Sequence, residues 1–237
     1  ITRRDWSSDV CSSDLLISLI NSNDRKLSLC GWLQKTHPTE YDRTLKLQKF
    51  LFFYEVFSKV DGEKPDFSHL RGYQNGPVFS QVWGDYTKER SAFDSASIKC
   101  YNENTDSINI NRAEKSAFIV QILSEEELSN FTHCMNLWKS KEPRIMRRER
   151  NVSLAEEDFN ESDAKLISAL DDLYPLEVIR HSRVISLNNY YFLISDTDYE
   201  RLTEEHMDIL DTVSTSKEEL HNPVYVEIDE EGRLIID

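Results

Sequence analysis

TLKLQKFLFFYEVFSK, residues 44–59, is the stretch whose reading decides the fold. Leu47, Phe50, Tyr54 and Phe57 fall on one helical face, and Leu51, Phe52, Phe53 and Val56 fill most of the rest. A helix that is apolar nearly all round belongs in the middle of a domain. On the polar face that remains, Glu55 and Lys59 have the spacing of an i,i+4 ion pair.

Working outward, the polar loop from Asp61 to Pro65 leads to Tyr73-Gln74-Asn75-Gly76-Pro77. Gly76 reaches backbone angles that other residues avoid, and Pro77 suits the first position of a helix. Val78, Phe79, Val82, Trp83 and Tyr86 follow at helical spacing. Upstream, residues 16–33 predict one or two short helices broken near Asn21-Ser22-Asn23-Asp24. Downstream, residues 102–111 read as a loop and 113–123 as a helix. Ser124 and Glu127 form a capping box that opens a helix to about Lys139, with Leu128, Phe131, Met135 and Trp138 as its stripe. His133 is placed roughly opposite that stripe.

The charged stretch 139–160 reads as a surface connection. A helix is expected over 162–174, with Leu166, Leu170 and Leu173 inward, followed by a short turn of helix after Pro175. Residues 183–187 and 190–194 flank Asn188-Asn189 as a hairpin. Thr197 and Glu200 predict a capped helix to about Leu210, and 224–228 with 234–236 predict a terminal hairpin. The fold class is therefore mostly α (α+β), a compact helical domain with small β-hairpins in the C-terminal part.

The chain has 237 residues and a formal charge of −15. That charge is uneven. Residues 1–118 carry 16 basic and 16 acidic side chains, whereas 151–237 carry 6 and 22. Between them, Lys139 to Arg150 holds 6 basic and 2 acidic side chains. An acidic surface repels phosphate, so nucleic acid is an unlikely partner unless that short basic stretch binds it. The acidic region serves either solubility or complementarity to a basic partner.

No apolar run approaches the ~20 residues of a membrane helix, so no membrane partner is expected. The start lacks the apolar segment of a signal peptide and an initiator Met, which suggests a chain incomplete at that end. Residues 1–15, with the near-repeat Trp6-Ser7-Ser8-Asp9-Val10 and Cys11-Ser12-Ser13-Asp14-Leu15, resemble a translated sequencing adapter and are set aside from the fold. Cys30, Cys100 and Cys134 are scattered, which points to a reducing compartment, read as the cytoplasm.

Chemistry-bearing motifs are scarce. Six glycines in the whole chain include none at P-loop or dinucleotide spacing, and there is no G-x-S-x-G elbow. His133-Cys134 is a helix pair before it is a metal or thiol site, and Glu204, Glu205, His206 and Asp208 read as a solvated helix face. No catalytic residue, metal or cofactor is expected, and an enzyme with an unrecognised site stands as an alternative class.

Two segments are informative together: Leu45-Lys46-Leu47-Gln48-Lys49-Phe50-Leu51-Phe52-Phe53-Tyr54, then Arg71-Gly72-Tyr73-Gln74-Asn75-Gly76-Pro77-Val78-Phe79. In this order they resemble the Panacea domain, the family of SocA-like antitoxins and phage-associated proteins. Its marks are a K-L-Q-K-L-L-Y-like helix and, some twenty residues on, an aromatic-x-x-G-P-V turn. Leu128 to Trp138, with Thr132-His133, is similar to a third family feature. The likeness covers about Leu45 to Lys141. The chain departs from it at Asn75, where the family often has an aromatic residue, and after Asn151 nothing is carried over.

The resemblance implies a helical domain over 16–141 that neutralises a co-encoded toxin by direct protein contact, in bacteria or phages, with 151–237 as an acidic α+β extension. Some members resemble adaptors that deliver the toxin to an ATP-dependent protease, which makes such a protease a second partner in that reading. Leu47, Phe50, Leu51, Pro77, Trp83 and Trp138 are the expected motif core. Gly76-Pro77 reads first as a backbone device. Lys46, Lys49, Tyr73, Asn75, Gly76 and His133 are the candidates for a partner-binding surface.

Overall fold

The computed structural model describes residues 20–104, 107–216 and 220–237. The repeat at residues 1–15 lies outside the described residues, as do 16–19 of the first expected helix. Helix α1 (Asp24–Thr36) opens where the Asn23 side chain accepts a hydrogen bond from Lys26 N at 3.0 Å, satisfying an amide that has no partner inside the helix. The single turn α2 (Pro38–Tyr41) leads into α3 (Thr44–Val60). Every α3 side chain from Lys46 to Ser58 is buried. The apolar circumference read from the sequence requires this, and the rest of the helical part is built round it.

After α3 come strands β1 (Leu70–Tyr73) and β2 (Gly76–Phe79), then helices α4 (Ser80–Lys88), α5 (Arg90–Glu103), α6 (Ile110–Ile122) and α7 (Glu125–Cys134). Short helices α8 (Asn136–Lys139) and α9 (Glu142–Met146) precede α10 (Glu161–Leu173) and α11 (Leu176–Arg180). Helix α3 packs on α6, α10 and β2, and Trp32 of α1 stacks on Phe50 with ring centroids 5.7 Å apart. Helices α1 and α5 lie so close that a Cβ on Gly31 would collide with the Ser97 carbonyl. The one buried carboxylate of α3, Glu55, accepts from Arg25 Nε at 3.0 Å, from Arg25 Nη2 at 2.6 Å and from Lys26 Nζ. The i,i+4 pair of Glu55 with Lys59 does not form. A fully buried carboxylate needs its counter-charge in the interior, where α1 supplies it, and Lys59 pairs with Glu156 instead.

Several other local readings are corrected. Gly76-Pro77 does not open a helix. It lies in β2, antiparallel to β1, with Tyr73 opposite Gly76 and Leu70 opposite Phe79. Gly76 has φ +105°, outside helical space, and α4 begins only at Ser80. Residues 152–154 extend this hairpin on its other side: Gly72 N donates to Val152 O at 2.9 Å and Leu154 N to Leu70 O at 3.2 Å. The stretch 139–160 is therefore not simply a surface connection, and Ile145, Val152 and Leu154 are core residues.

The capping box of Ser124 and Glu127 forms, but the helix it opens stops at Cys134. The carboxylate of Asp163, itself buried, accepts from Asn136 N at 2.6 Å and Leu137 N at 2.9 Å. It thereby caps a new helix, α8, from another part of the chain. In α10 Leu166 and Leu170 pack against the core as expected, with Ile167 fully buried and Tyr174 inward just beyond the helix, whereas Leu173 points out, 61% exposed.

The C-terminal part adds β3 (Ser182–Leu187), β4 (Tyr190–Ser195), α12 (Asp196–Tyr199), α13 (Glu204–Thr215), β5 (Val224–Ile228) and β6 (Leu234–Ile236). The helix caps are Ser195 and Thr203 rather than Thr197. Both hairpins form, and a parallel β4–β5 pairing joins them into one four-stranded sheet. Strand β4 shows why. Side chains alternate across a strand, so Leu193 enters the main core while Phe192 and Ile194 enter a second cluster with Leu210, Val224 and Val226. The protein is mostly helical with two small sheets, and its two apolar clusters meet across the β3–β4 hairpin.

Candidate partner-binding cleft

The β1–β2 hairpin is held from behind by three side chains. Gln48 Oε1 accepts from Phe79 N at 2.8 Å, Lys49 Nζ donates to Asn75 O at 2.7 Å, and Trp138 Nε1 donates to Tyr73 O at 2.9 Å. Gly76 sits against this support. A Cβ there would overlap Lys49 Nζ and Thr132 Oγ1. With the backbone fixed, the turn residues Tyr73, Gln74 and Asn75 present exposed side chains.

In front of the hairpin lies an open cleft of about 660 Å³, within the size range of ligand and peptide-anchor sites. Its floor is the first half of α3, with Thr44, Leu45, Gln48 and Lys49. One wall is the hairpin together with Trp83 of α4. The rest of the lining is Ile145 and residues 148–152, the segment that leads into the pairing with β1. Arg148 and Asn151 in that segment both have φ +58°, a left-handed conformation that Asn adopts readily and Arg at a cost of roughly 1–2 kcal/mol.

The cleft is basic in an acidic protein. It is lined by Lys49, Arg71, Arg148 and Arg150 against one carboxylate, Glu149, and that carboxylate is occupied by Arg144 at 2.8 Å. Among the described residues, Arg71, Arg148 and Arg150 have no ion-pair partner. Lys49 is 1% exposed and no carboxylate of the described residues faces it. Burial pushes its amine down to about 7. Gln48 is 2% exposed, and its Nε2 has no hydrogen-bond partner among the described residues.

The expected site residues are only partly gathered here. Lys49, Tyr73, Asn75 and Pro77 line the cleft. Lys49 does so as a buried floor residue and not as a surface cation. Lys46 is not at the surface either. It is 1% exposed and turned toward the C-terminal sheet, with Nζ 3.2 Å from Tyr191 Oη and 4.2 Å from the Tyr191 ring centroid. Burial pushes that amine down to about 8.

Gly76 is buried and makes no surface. His133 lies behind the hairpin turn, its ring stacked on Trp138 at 3.9 Å. Burial, and after it the charge of Lys49, lower its pKa, while a hydrogen bond to the Gln74 backbone opposes them. Leu47, Phe50, Leu51, Pro77 and Trp138 are core. Trp83 is not: it is 45% exposed, because Val82 and Tyr86 take the inward face of α4 and leave it to the cleft.

Sequence reasoning missed Gln48, Arg71, Arg148 and Arg150. The signal that pointed to two of them was the short basic stretch at 139–150, the one run of positive charge in the second half. Among the described residues no group of three or more His, Cys, Asp or Glu side chains is placed to hold a metal ion. No helix among them is long and apolar enough to cross a membrane. No family model, curated protein or solved structure matches the chain.

Proposed function

We propose that this protein works by holding another protein in the cleft, without turnover, and that the partner is a toxin encoded beside it. The observation that supports this reading is the convergence at the cleft of the aromatic-x-x-Gly-Pro segment with exposed Tyr73 and Trp83 and arginines that have no ion-pair partner among the described residues. Aromatic and arginine side chains around a rigid backbone are the residue types that carry most binding energy at protein interfaces. The resemblance to the Panacea domain supplies the class of partner. In this reading the protein acts in the reducing interior of the cell, where Cys30, Cys100 and Cys134 stay free thiols.

The experiment is a titration of the purified protein into an assay of the neighbouring gene product's toxicity, with no protease present. Neutralisation that saturates near one chain per toxin is the expected result. Neutralisation by a small fraction of an equivalent refutes simple binding in favour of turnover. Neutralisation that appears only when an ATP-dependent protease is added transfers the function to adaptor-type delivery.

A further inference from the structure

We infer that the cleft takes a short acidic segment of its partner, with an apolar side chain set against Trp83 and Tyr73 and carboxylates on Arg71, Arg148 and Arg150. The inference rests on the reading of the protein as a binding protein and deepens it by naming the chemistry of the bound segment.

Three independent features carry it. The first is charge. The lining holds three arginines and the buried Lys49 against one carboxylate already paired with Arg144, inside a chain of net charge −15. Arginines leave water for a carboxylate more readily than lysines do and grip it through two N–H groups, and these have no partner among the described residues. The second is the aromatic pair. Tyr73 and Trp83 line the cleft and are 46% and 45% exposed, apolar surface that an apolar side chain of the partner would cover. The third is the segment beside the hairpin, where Arg148 is held in a left-handed conformation at the cleft edge. Strain of this kind persists where surrounding structure enforces it and concentrates at ligand sites.

A nucleic-acid strand fits less well. Its charge continues past the cleft and meets an acidic surface, residues 151–237 alone carrying 22 acidic against 6 basic side chains. A peptide confines its charge to the cleft. A basic occupant would face the arginines directly. Attraction of a basic partner by the acidic region, where it operates, therefore acts at a surface other than this one.

The test uses the whole chain and fluorescence anisotropy of three labelled probes. These are a peptide of about ten residues alternating Glu and Leu, the same peptide with Gln for Glu, and a single-stranded DNA of similar length. The wild type should bind the acidic peptide saturably and at least about tenfold more tightly than either other probe. R148E/R150E and Trp83→Ala, all at exposed positions, should each weaken that binding at least about tenfold. Lys165→Glu, an exposed charge reversal on α10, should leave it unchanged. No saturable binding below about 1 mM, equal binding of the Gln peptide, preference for DNA, or equal loss with Lys165→Glu overturns the inference.

A pull-down of the neighbouring gene product separates this from the broader reading. A partner retained equally by wild type and R148E/R150E overturns the cleft assignment and leaves protein binding standing. Peptide binding that follows the cleft residues, with no partner retained, upholds the cleft and removes the antitoxin reading.

Discussion

Replacing Lys49 with methionine tests the floor of the cleft. The amine of Lys49 is buried, and its pKa is pushed from 10.5 down to about 7. In the unfolded chain it returns to the ordinary lysine range. Below about pH 7 both states hold the proton, and the folded state bears the full cost of a buried ammonium. Between about 7 and 10.5 the unfolded chain holds the proton and the folded chain does not. Stability therefore rises with pH across that window, and above it the cost is gone. At roughly 1.4 kcal/mol per unit the full cost is about 5 kcal/mol.

Lys49→Met removes the cost but also removes two hydrogen bonds, to Asn75 O and Thr132 Oγ1, each 2.7 Å from Nζ, at about 1–3 kcal/mol apiece. The net change at neutral pH is thus small, and the informative quantity is the slope. From about pH 6.5 to 8.5 the wild type should gain roughly 2 kcal/mol from this residue, and the variant should lack that gain. Other groups titrating there cancel in the difference between the two proteins. Lys46 is turned toward the C-terminal sheet, His133 behind the turn is the titratable group coupled to Lys49, and Arg71, Arg148, Glu149 and Arg150 line the same cleft. Urea unfolding of both proteins at both pH values is the assay. Parallel behaviour, with a double difference under about 0.5 kcal/mol, would refute the burial of Lys49 as an uncompensated cation.

Gly76→Ala should cost about 2–4 kcal/mol, because φ is +105° and the new methyl overlaps Lys49 Nζ and Thr132 Oγ1; the melting temperature should fall by roughly 5–10 °C. Asp163→Ala should cost about 1–3 kcal/mol and speed amide exchange at Asn136 and Leu137, whose N–H groups it caps. Trp83→Ala should change stability by under about 1 kcal/mol, whereas Phe50→Ala, at a fully buried position, should cost about 3–5 kcal/mol by denaturant unfolding.

What was legible in the sequence was whatever a local pattern dictates. The circumference of α3 announced its burial, Ser124 with Glu127 announced a helix start, and the polar turns at Asn188-Asn189 and Asp229 to Gly232 announced hairpins. What was not legible depends on distant partners. Helix α7 ends where it does because Asp163 reaches its successor from 26 and 27 residues away. The two-residue turn at Gln74-Asn75 pairs strands too short to show a period, so the Gly-Pro cue read as a helix start. The placement of Lys46 and Lys49 at a surface conflicted with the reading of α3 itself. A helix covered on all sides leaves its lysines no exposed face, and both are buried. The rest of the cleft lining arrives some seventy residues after the hairpin, and only the local excess of positive charge marked it.

The hairpin is gripped by atoms that belong to other elements: the Gln48 carboxamide, the Lys49 amine and the Trp138 indole each bond to its main chain. Tyr73, Gln74 and Asn75 keep their side chains out of that grip, and in the segment beside the hairpin Arg148 and Arg150 are equally free of structural partners among the described residues. Scaffold and fingertips are thus written in separate residues. Exchanging the side chains that meet a partner leaves every bond that shapes the cleft in place, so this architecture can be re-aimed from one target to another by point substitution without first being rebuilt.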